Sequence, residues 1–288
     1  MDMAFSVIRY GNKVDYVLID TYSTANFWYA VYTGRLSQLF NIPYIPILRG
    51  GNLPERLKKS SYSSQKLFDN SFCNVAPSSY LLKKFEEHGF RNLEYIPNTV
   101  EIENYPFKYR STIKPKLLWV RAFASIYNPM MAIKSLEVLL QDYHESELCM
   151  VGPEKDGSLE ACKEYAKTKN LPVTFTGKMG KKDWIDLSKN YDLFLNTTHF
   201  DNTPVSVIEA MALGLPVIST NVGGIPYMLD DKVDALLVTD NSVSEMVESI
   251  LYLLHNPDRV ESIAKNARIK VEAFDWERVQ THWEKLLM

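Results

Sequence analysis

Asp201 and Glu209 stand with seven residues between them, and Thr203-Pro204 in that interval carries the signal for a helix start. Thr203 as the cap and Pro204 in the first helical position, where its missing N–H costs nothing, predict a helix that ends at Gly214. The amides of Val205 and Ser206 would then point out of the helix start with the positive end of its dipole, a geometry that holds a phosphate. Glu209, five residues past Pro204, lies about 7.5 Å further along the axis. That is too deep to cap the helix and well placed to accept from a diol such as the 2′- and 3′-hydroxyls of a ribose. Asp201, with Asn202 beside it, can accept from the hydroxyls of a sugar beyond a diphosphate. An acid pair alone would be read as a solvent-facing glutamate and a turn-forming Asp-Asn. The helix start between the acids, with Gly214-Leu215-Pro216 and Gly223-Gly224 behind them, turns the reading toward a sugar-nucleotide site.

These residues need strands and helices to carry them, and the two kinds of signal alternate almost throughout. Strands are expected over 15–20, 44–48, 72–75 and 93–96, with a helix over 25–40 and another capped by Ser78 or Ser79 and stopped by Gly89. A polar, proline-bounded stretch, YPFKYRSTIKP over 105–115, reads as a linker. Strands then recur at 116–120, 148–151, 173–176, 193–196, 216–220 and 235–238, and three helices follow Asn241. Such alternation predicts an α/β chain of βαβ units with parallel sheets. The domain expectation is a shortened first Rossmann-like domain over 1–108, a nucleotide-sugar-binding Rossmann-like domain over 109–272, and a terminal helix over 273–288 that returns to the first. The first half carries four strands and no opening glycine-rich turn, so it reads as abbreviated. Its aromatics Tyr22, Phe27, Trp28, Tyr29 and Tyr32 read as a buried helix face, with an acceptor or membrane-facing surface as the alternative.

Bulk properties exclude several classes. The 288 residues carry a formal charge of −3, against the basic excess of general nucleic-acid binders, and 46% are hydrophobic. The pairs Lys58-Lys59, Lys83-Lys84 and Lys181-Lys182 read as solvated surface. The start MDMAFSVIRY has no signal-peptide pattern, and no apolar run is long enough to span a bilayer. Cys73, Cys149 and Cys162 lack metal-ligand spacing and read as buried thiols of a reducing compartment. The expected location is cytoplasmic, with peripheral contact at the inner membrane face as an option.

The central segment resembles the donor-binding motif of family 4 retaining glycosyltransferases of the GT-B fold. The residues that carry the likeness are Asp201-x7-Glu209, Ala210-Met211-Ala212, Gly214-Leu215-Pro216-Val217 and Asn221-Val222-Gly223-Gly224-Ile225-Pro226. Weaker echoes are Ile96-Pro97-Asn98-Thr99-Val100, Met150-Val151-Gly152-Pro153, Phe175-Thr176-Gly177 and the closing helix over 274–287. The resemblance implies two Rossmann-like domains facing a cleft and transfer of a sugar from a nucleoside diphosphate to a glycan or lipid-linked acceptor with retained configuration, in polysaccharide or glycoconjugate biosynthesis. It implies Glu209 on the ribose, Asp201 on the transferred sugar and 203–206 on the diphosphate. It implies no bound metal or cofactor.

Departures from the family pattern bear on turnover. The first acid is usually glutamate, and Asp201 is shorter by one methylene. Where the family shows Gly-Arg and a lysine five residues on, this chain has Trp119-Val120-Arg121-Ala122-Phe123, with Tyr127 near the lysine position. Arg121 can supply the charge from a shifted register, and Lys178 after Gly177 can add to it. Arg49-Gly50 stands where the family often has histidine-glycine on the acceptor side, and His199 adjoins the motif. No general base and no nucleophile are assigned. The alternatives are a degenerate nucleotide-sugar-binding partner subunit and, behind it, a GT-B sugar-nucleotide epimerase.

Overall fold

The computed structural model describes residues 2–110 and 112–288; Met1, which opens the amino-terminal stretch, and Ser111, within the expected linker, lie outside the described residues. The chain divides into two compact units, Met1–Asn98 with Arg278–Met288, and Thr99–Glu277.

The first unit is a parallel sheet of four strands in sequence order, β1 (Val17–Thr21), β2 (Tyr44–Leu48), β3 (Asn74–Ala76) and β4 (Leu93–Tyr95). Successive side chains point to opposite faces of a strand, and β2 shows both faces covered. Tyr44 and Leu48 join a core with Ile19 of β1 and with Phe27, Phe68, Leu81 and Phe85, which the helices Phe27–Leu39, Ser61–Asp69 and Ser79–Glu87 supply. Ile45 and Ile47 join Val75, Ile96 and Val279, with Trp283 and Leu286 of the last helix against them. Ser78 caps its helix as expected, accepting from the Leu81 amide. The expectation of a buried aromatic face fails in part. Phe27 is buried, but Trp28, Tyr29 and Tyr32 are exposed because the helix Phe27–Leu39 turns Ala30, Val31 and Gly34 to the core, and Tyr22, in the loop before it, is exposed as well.

The second unit holds six parallel strands in the order β10-β9-β8-β5-β6-β7. They are β5 (Lys116–Val120), β6 (Glu147–Val151), β7 (Val173–Gly177), β8 (Leu193–Asn196), β9 (Val217–Thr220) and β10 (Leu236–Val238). The strands β8 and β9 are buried on both faces, as a parallel sheet between helices requires. Strand order reverses at the β5–β8 pair, and an open α/β sheet places its crevice beyond the carboxyl ends of such a pair. Arg121 follows β5 and Asp201 lies just beyond β8, so both belong to that switch point.

The stretch expected as a linker is packed instead. Tyr105 and Arg110 are buried inside the second unit, and the Arg110 guanidinium donates to the carbonyls of Leu213, Gly214 and Tyr191 at 2.9–3.2 Å. Burial pulls the Arg110 pKa down to about 10, with Asp192 opposing the shift. All three cysteines are free and buried, and burial raises each thiol pKa. No helix among the described residues is long and apolar enough to cross a membrane.

Candidate functional site

The helix Val205–Ala212 carries Glu209, and its start differs in one respect from the expectation. Pro204, not Thr203, is the cap residue, with extended backbone (φ −68°, ψ 115°), and its side chain makes no capping hydrogen bond. The Pro204 carbonyl accepts from Val207 and Ile208, which leaves Val205 and Ser206 as the amides that helix geometry turns outward. Pro204 has no N–H and extended residues often precede a helix, so proline serves at the cap as well as at the first helical position. Ser206 Oγ, in that first turn, is buried without a hydrogen-bond partner.

Glu209 is not solvent-facing; it is 6% exposed. Its Oε1 accepts from the Tyr105 hydroxyl at 2.5 Å and lies 3.1 Å from Lys181 Nζ. Tyr105 is 1% exposed, and its phenol pKa is raised, first by burial and then by the Glu209 carboxylate. Arg268 Nη1 donates to the Tyr105 carbonyl at 2.8 Å and to the Ala212 carbonyl at 2.7 Å, which ties the tyrosine to the carboxyl end of the Glu209 helix. A cation there complements the negative end of the dipole whose positive end lies at Val205. Lys181 opens the helix Lys181–Ser188, and its ammonium sits 5.7 Å from the Tyr105 ring centre. Tyr105 and Lys181 line a concavity of about 460 Å³ together with Thr99, Glu101, Asn104 and Trp276.

Asp201 pairs with the Arg121 guanidinium across the switch point. Its Oδ1 accepts from the Asn202 amide at 2.8 Å, and its carbonyl accepts from Gly224 N at 2.8 Å. The glycine pair thus braces the acid loop: a Cβ on Gly223 would lie 2.3 Å from the Asp201 carbonyl oxygen, and one on Gly224 2.1 Å from that of Asn202. Gly152 serves Arg121 in the same way, since a Cβ there would come within 1.7 Å of the Arg121 carbonyl oxygen. Arg121 stacks on the Tyr127 ring at 4.5 Å, its pKa is pushed down by burial, and its Nε is buried without a hydrogen-bond partner.

The remaining candidates separate. His199 turns to Asp240, with Nδ1 2.8 Å from Oδ1. Gly177 accepts at its carbonyl from Gly152 N, and Lys178 after it is exposed. In the first unit, Arg49 donates to Asp20 and Asn98 at 2.8 Å each, and the Gly50 amide donates to Thr21 O. Arg49 and Asp20 line a concavity of about 590 Å³ with Leu18, Tyr22, Asn26, Tyr29 and Ile47. Among the described residues no three His, Cys, Asp or Glu side chains converge as a metal site. Tyr105 and Lys181 were missed from sequence, the first as linker and the second as solvated surface. Neither carries a local signal, because each reaches Glu209 from a distant part of the chain.

Comparison with known proteins identifies the family and the fold. The family profile described as "Glycosyl transferases group 1" matches residues 101–270, more than half of the chain. The sulfoquinovosyl transferase SQD2 of Arabidopsis thaliana is 29% identical over 154 residues, which are 51% of this chain and 29% of that protein. A galactosyltransferase of Escherichia coli, acting on UDP-Gal and an α-D-GlcNAc-diphosphoundecaprenol by its description, is 22% identical over 62% of this chain and 49% of its own length. The chain thus spans less than half the length of these curated relatives. Anabaena HepE, solved in complex with UDP, superposes with a TM-score of 0.85 at 18% identity, over 99% of this chain and 81% of that one. The fold is therefore α/β, with the two parallel sheets of the GT-B class. By the extent of the profile match, the chain belongs to the group 1 glycosyl transferases.

Proposed function

We propose that the protein transfers a sugar from a nucleoside diphosphate donor to a glycan or lipid-linked acceptor with retention of configuration, in polysaccharide or glycoconjugate assembly. The observation that carries the reading is Glu209: a carboxylate 6% exposed, deep in a helix whose cap residue, Pro204, makes no side-chain capping bond. A diphosphate at Val205 and Ser206 meets two amides and the positive end of the dipole. It also offers acceptors to Ser206 Oγ and Arg121 Nε, which have none of their own. Asn202, Thr203 and Pro204 shape the approach, Glu209 accepts from the ribose, and Asp201 accepts from the transferred sugar. Gly177 and Lys178 border the base. HepE has been solved with UDP-glucose, which supports a uridine nucleotide as the first donor to try.

When the anomeric carbon leaves its phosphate oxygen, the bonding pair goes to the diphosphate, and the developing positive charge sits on the sugar. Arg121 and the helix start then stabilise the departing anion, which is the largest electrostatic demand of the step. The acceptor hydroxyl attacks on the face that the diphosphate leaves and can release its proton to that phosphate. On the acceptor side we place the first-unit concavity lined by Arg49, which Gly50 follows in the chain, where Tyr22 and Tyr29 offer ring faces to a sugar. His199, turned to Asp240, has a structural role in this reading.

A thermal-shift series with UDP, GDP and ADP tests the donor half. At least one should raise the melting temperature, and Glu209→Ala should abolish the rise; no rise with any of them rejects the reading. A second reading, nucleotide-sugar binding without turnover, draws on one observation: Arg121 and Asp201 already neutralise each other, and Tyr127 stands near the position of the family's lysine. Donor hydrolysis or transfer with any sugar nucleotide rejects it.

A further inference from the structure

Glu209 is gripped on one side only. Tyr105 Oη and Lys181 Nζ both meet Oε1, at 2.5 and 3.1 Å, and neither contact falls on Oε2. A carboxylate held by one oxygen has its plane fixed, and its second oxygen keeps the capacity to accept from a diol. Arg268, through the Tyr105 carbonyl, fixes the tyrosine backbone against the same helix. The tyrosine has no freedom to follow the carboxylate, because its ring is 1% exposed. We propose that Tyr105 and Lys181 are positioning residues for ribose recognition, clamping Glu209 Oε1 so that Oε2 is presented to the 2′- and 3′-hydroxyls of the donor nucleotide. This rests on the reading of Glu209 as the ribose acceptor and assigns its selectivity to two side chains far away in sequence.

The two clamps divide the work by their surroundings. The Tyr105 hydroxyl is a neutral donor inside the unit, so its bond to a carboxylate is charge-assisted and shielded from water. The Lys181 side chain is 62% exposed, so its attraction is screened by solvent and salt. Tyr105 therefore sets the geometry, while Lys181 adds charge and covers the ring face at 5.7 Å. Both side chains line the 460 Å³ concavity, the buried Tyr105 as part of its wall and Lys181 on its exposed side.

The test uses the full chain and compares UDP with 2′,3′-dideoxy-UDP by isothermal titration for wild type, Tyr105→Phe and Lys181→Gln. Wild type should bind UDP more tightly than the dideoxy analogue. Tyr105→Phe, which removes one oxygen and keeps the ring, should weaken UDP by about tenfold, as loss of a hydrogen bond to a charged group does. Its affinity for the dideoxy analogue should stay within about twofold, since that ligand makes no bond to Glu209. Lys181→Gln should give a smaller loss for UDP, one that shrinks as salt is added. Equal losses for both nucleotides in Tyr105→Phe, or no loss for UDP, overturn the proposal and leave the donor site standing. Wild type that binds both nucleotides equally removes Glu209 from ribose recognition and overturns the proposal. Wild type that binds neither overturns the proposal for a uridine donor, and the functional reading itself falls only if GDP and ADP also leave the melting temperature unchanged.

Discussion

Asp201 and Glu209 belong to one segment and are both carboxylates, yet the protein holds them by opposite means. Asp201 faces a full positive charge, Arg121, and the pair is largely enclosed, with side chains 14% and 19% exposed. Glu209 is more deeply buried but meets a neutral hydroxyl and a lysine that stands mostly in water. The first acid is neutralised before any ligand arrives; the second is oriented and left with an accepting oxygen. A sugar hydroxyl that approaches Asp201 must share it with Arg121, and a diphosphate that recruits Arg121 loosens that acid. Under the proposed function, donor binding and sugar contact are coupled at Asp201, while ribose contact at Glu209 needs no exchange of partners.

The contrast breaks most visibly at Asp201. Asp201→Ala leaves a buried guanidinium without its counter-charge, and urea unfolding should show a loss of about 3 kcal/mol. The double variant Arg121→Met/Asp201→Leu should recover part of that loss, because an apolar pair removes both desolvation terms. A double variant no more stable than the single one would mean that the ion pair does not set the local energetics.

Glu209→Ala should be milder for stability and more damaging for function. It strands the Tyr105 hydroxyl in the interior, which costs about 1–3 kcal/mol. It should also erase the nucleotide-dependent rise in melting temperature. Glu209→Gln sharpens the point, since its amide oxygen still accepts from Tyr105. That variant should recover most of the stability and little of the UDP affinity, read by unfolding and titration side by side. Smaller still is Lys181→Gln in the absence of ligand. With its side chain 62% exposed, the pair should contribute at most about 1 kcal/mol, falling as salt rises.

Much of this was legible because it is local. The helix, the following strand and the glycine turn lie within one short segment, so periodicity, proline and glycine mark their order. Alternating strands and helices marked the sheets as parallel, but not the strand order that puts a switch point at the β5–β8 pair. What sequence could not show is contact across distance. Tyr105 looked like linker because YPFKYR is polar and proline-bounded, but Arg110 within it binds three carbonyls of the second unit and packs the strap down. Lys181 looked like one of several basic pairs, and nothing in its neighbours marks it as the one that reaches a buried acid. Gly223 and Gly224 were read as part of a ligand-binding turn, whereas their first task is to let the Asp201 loop approach within hydrogen-bonding range. Thr203 failed as the cap because the preference for Thr before Pro is statistical, and the backbone at Pro204 decides the helix start.

The subtlest difference between the two acids should emerge only in alkali. Tyr105 releases its proton far less readily than a free tyrosine, because burial disfavours the phenolate and the Glu209 carboxylate beside it repels a second negative charge. The folded-state pKa thus lies above the unfolded value, which is near 10. The stabilisation linked to it is whole below pH 10. It drains away as pH rises further, because the unfolded chain then gives up the Tyr105 proton while the folded chain keeps it. Thermal unfolding of wild type and Tyr105→Phe between pH 8 and about 11 should therefore show a gap in melting temperature that is constant up to pH 10 and narrows above it. The phenylalanine variant keeps every other tyrosine, so their ionisation cancels in the comparison. A gap independent of pH would mean that the Tyr105 hydroxyl titrates as an ordinary phenol, which a donor locked onto Glu209 cannot do. Asp201 offers no phenol signature, because its partner is the Arg121 guanidinium and no tyrosine hydroxyl donates to it.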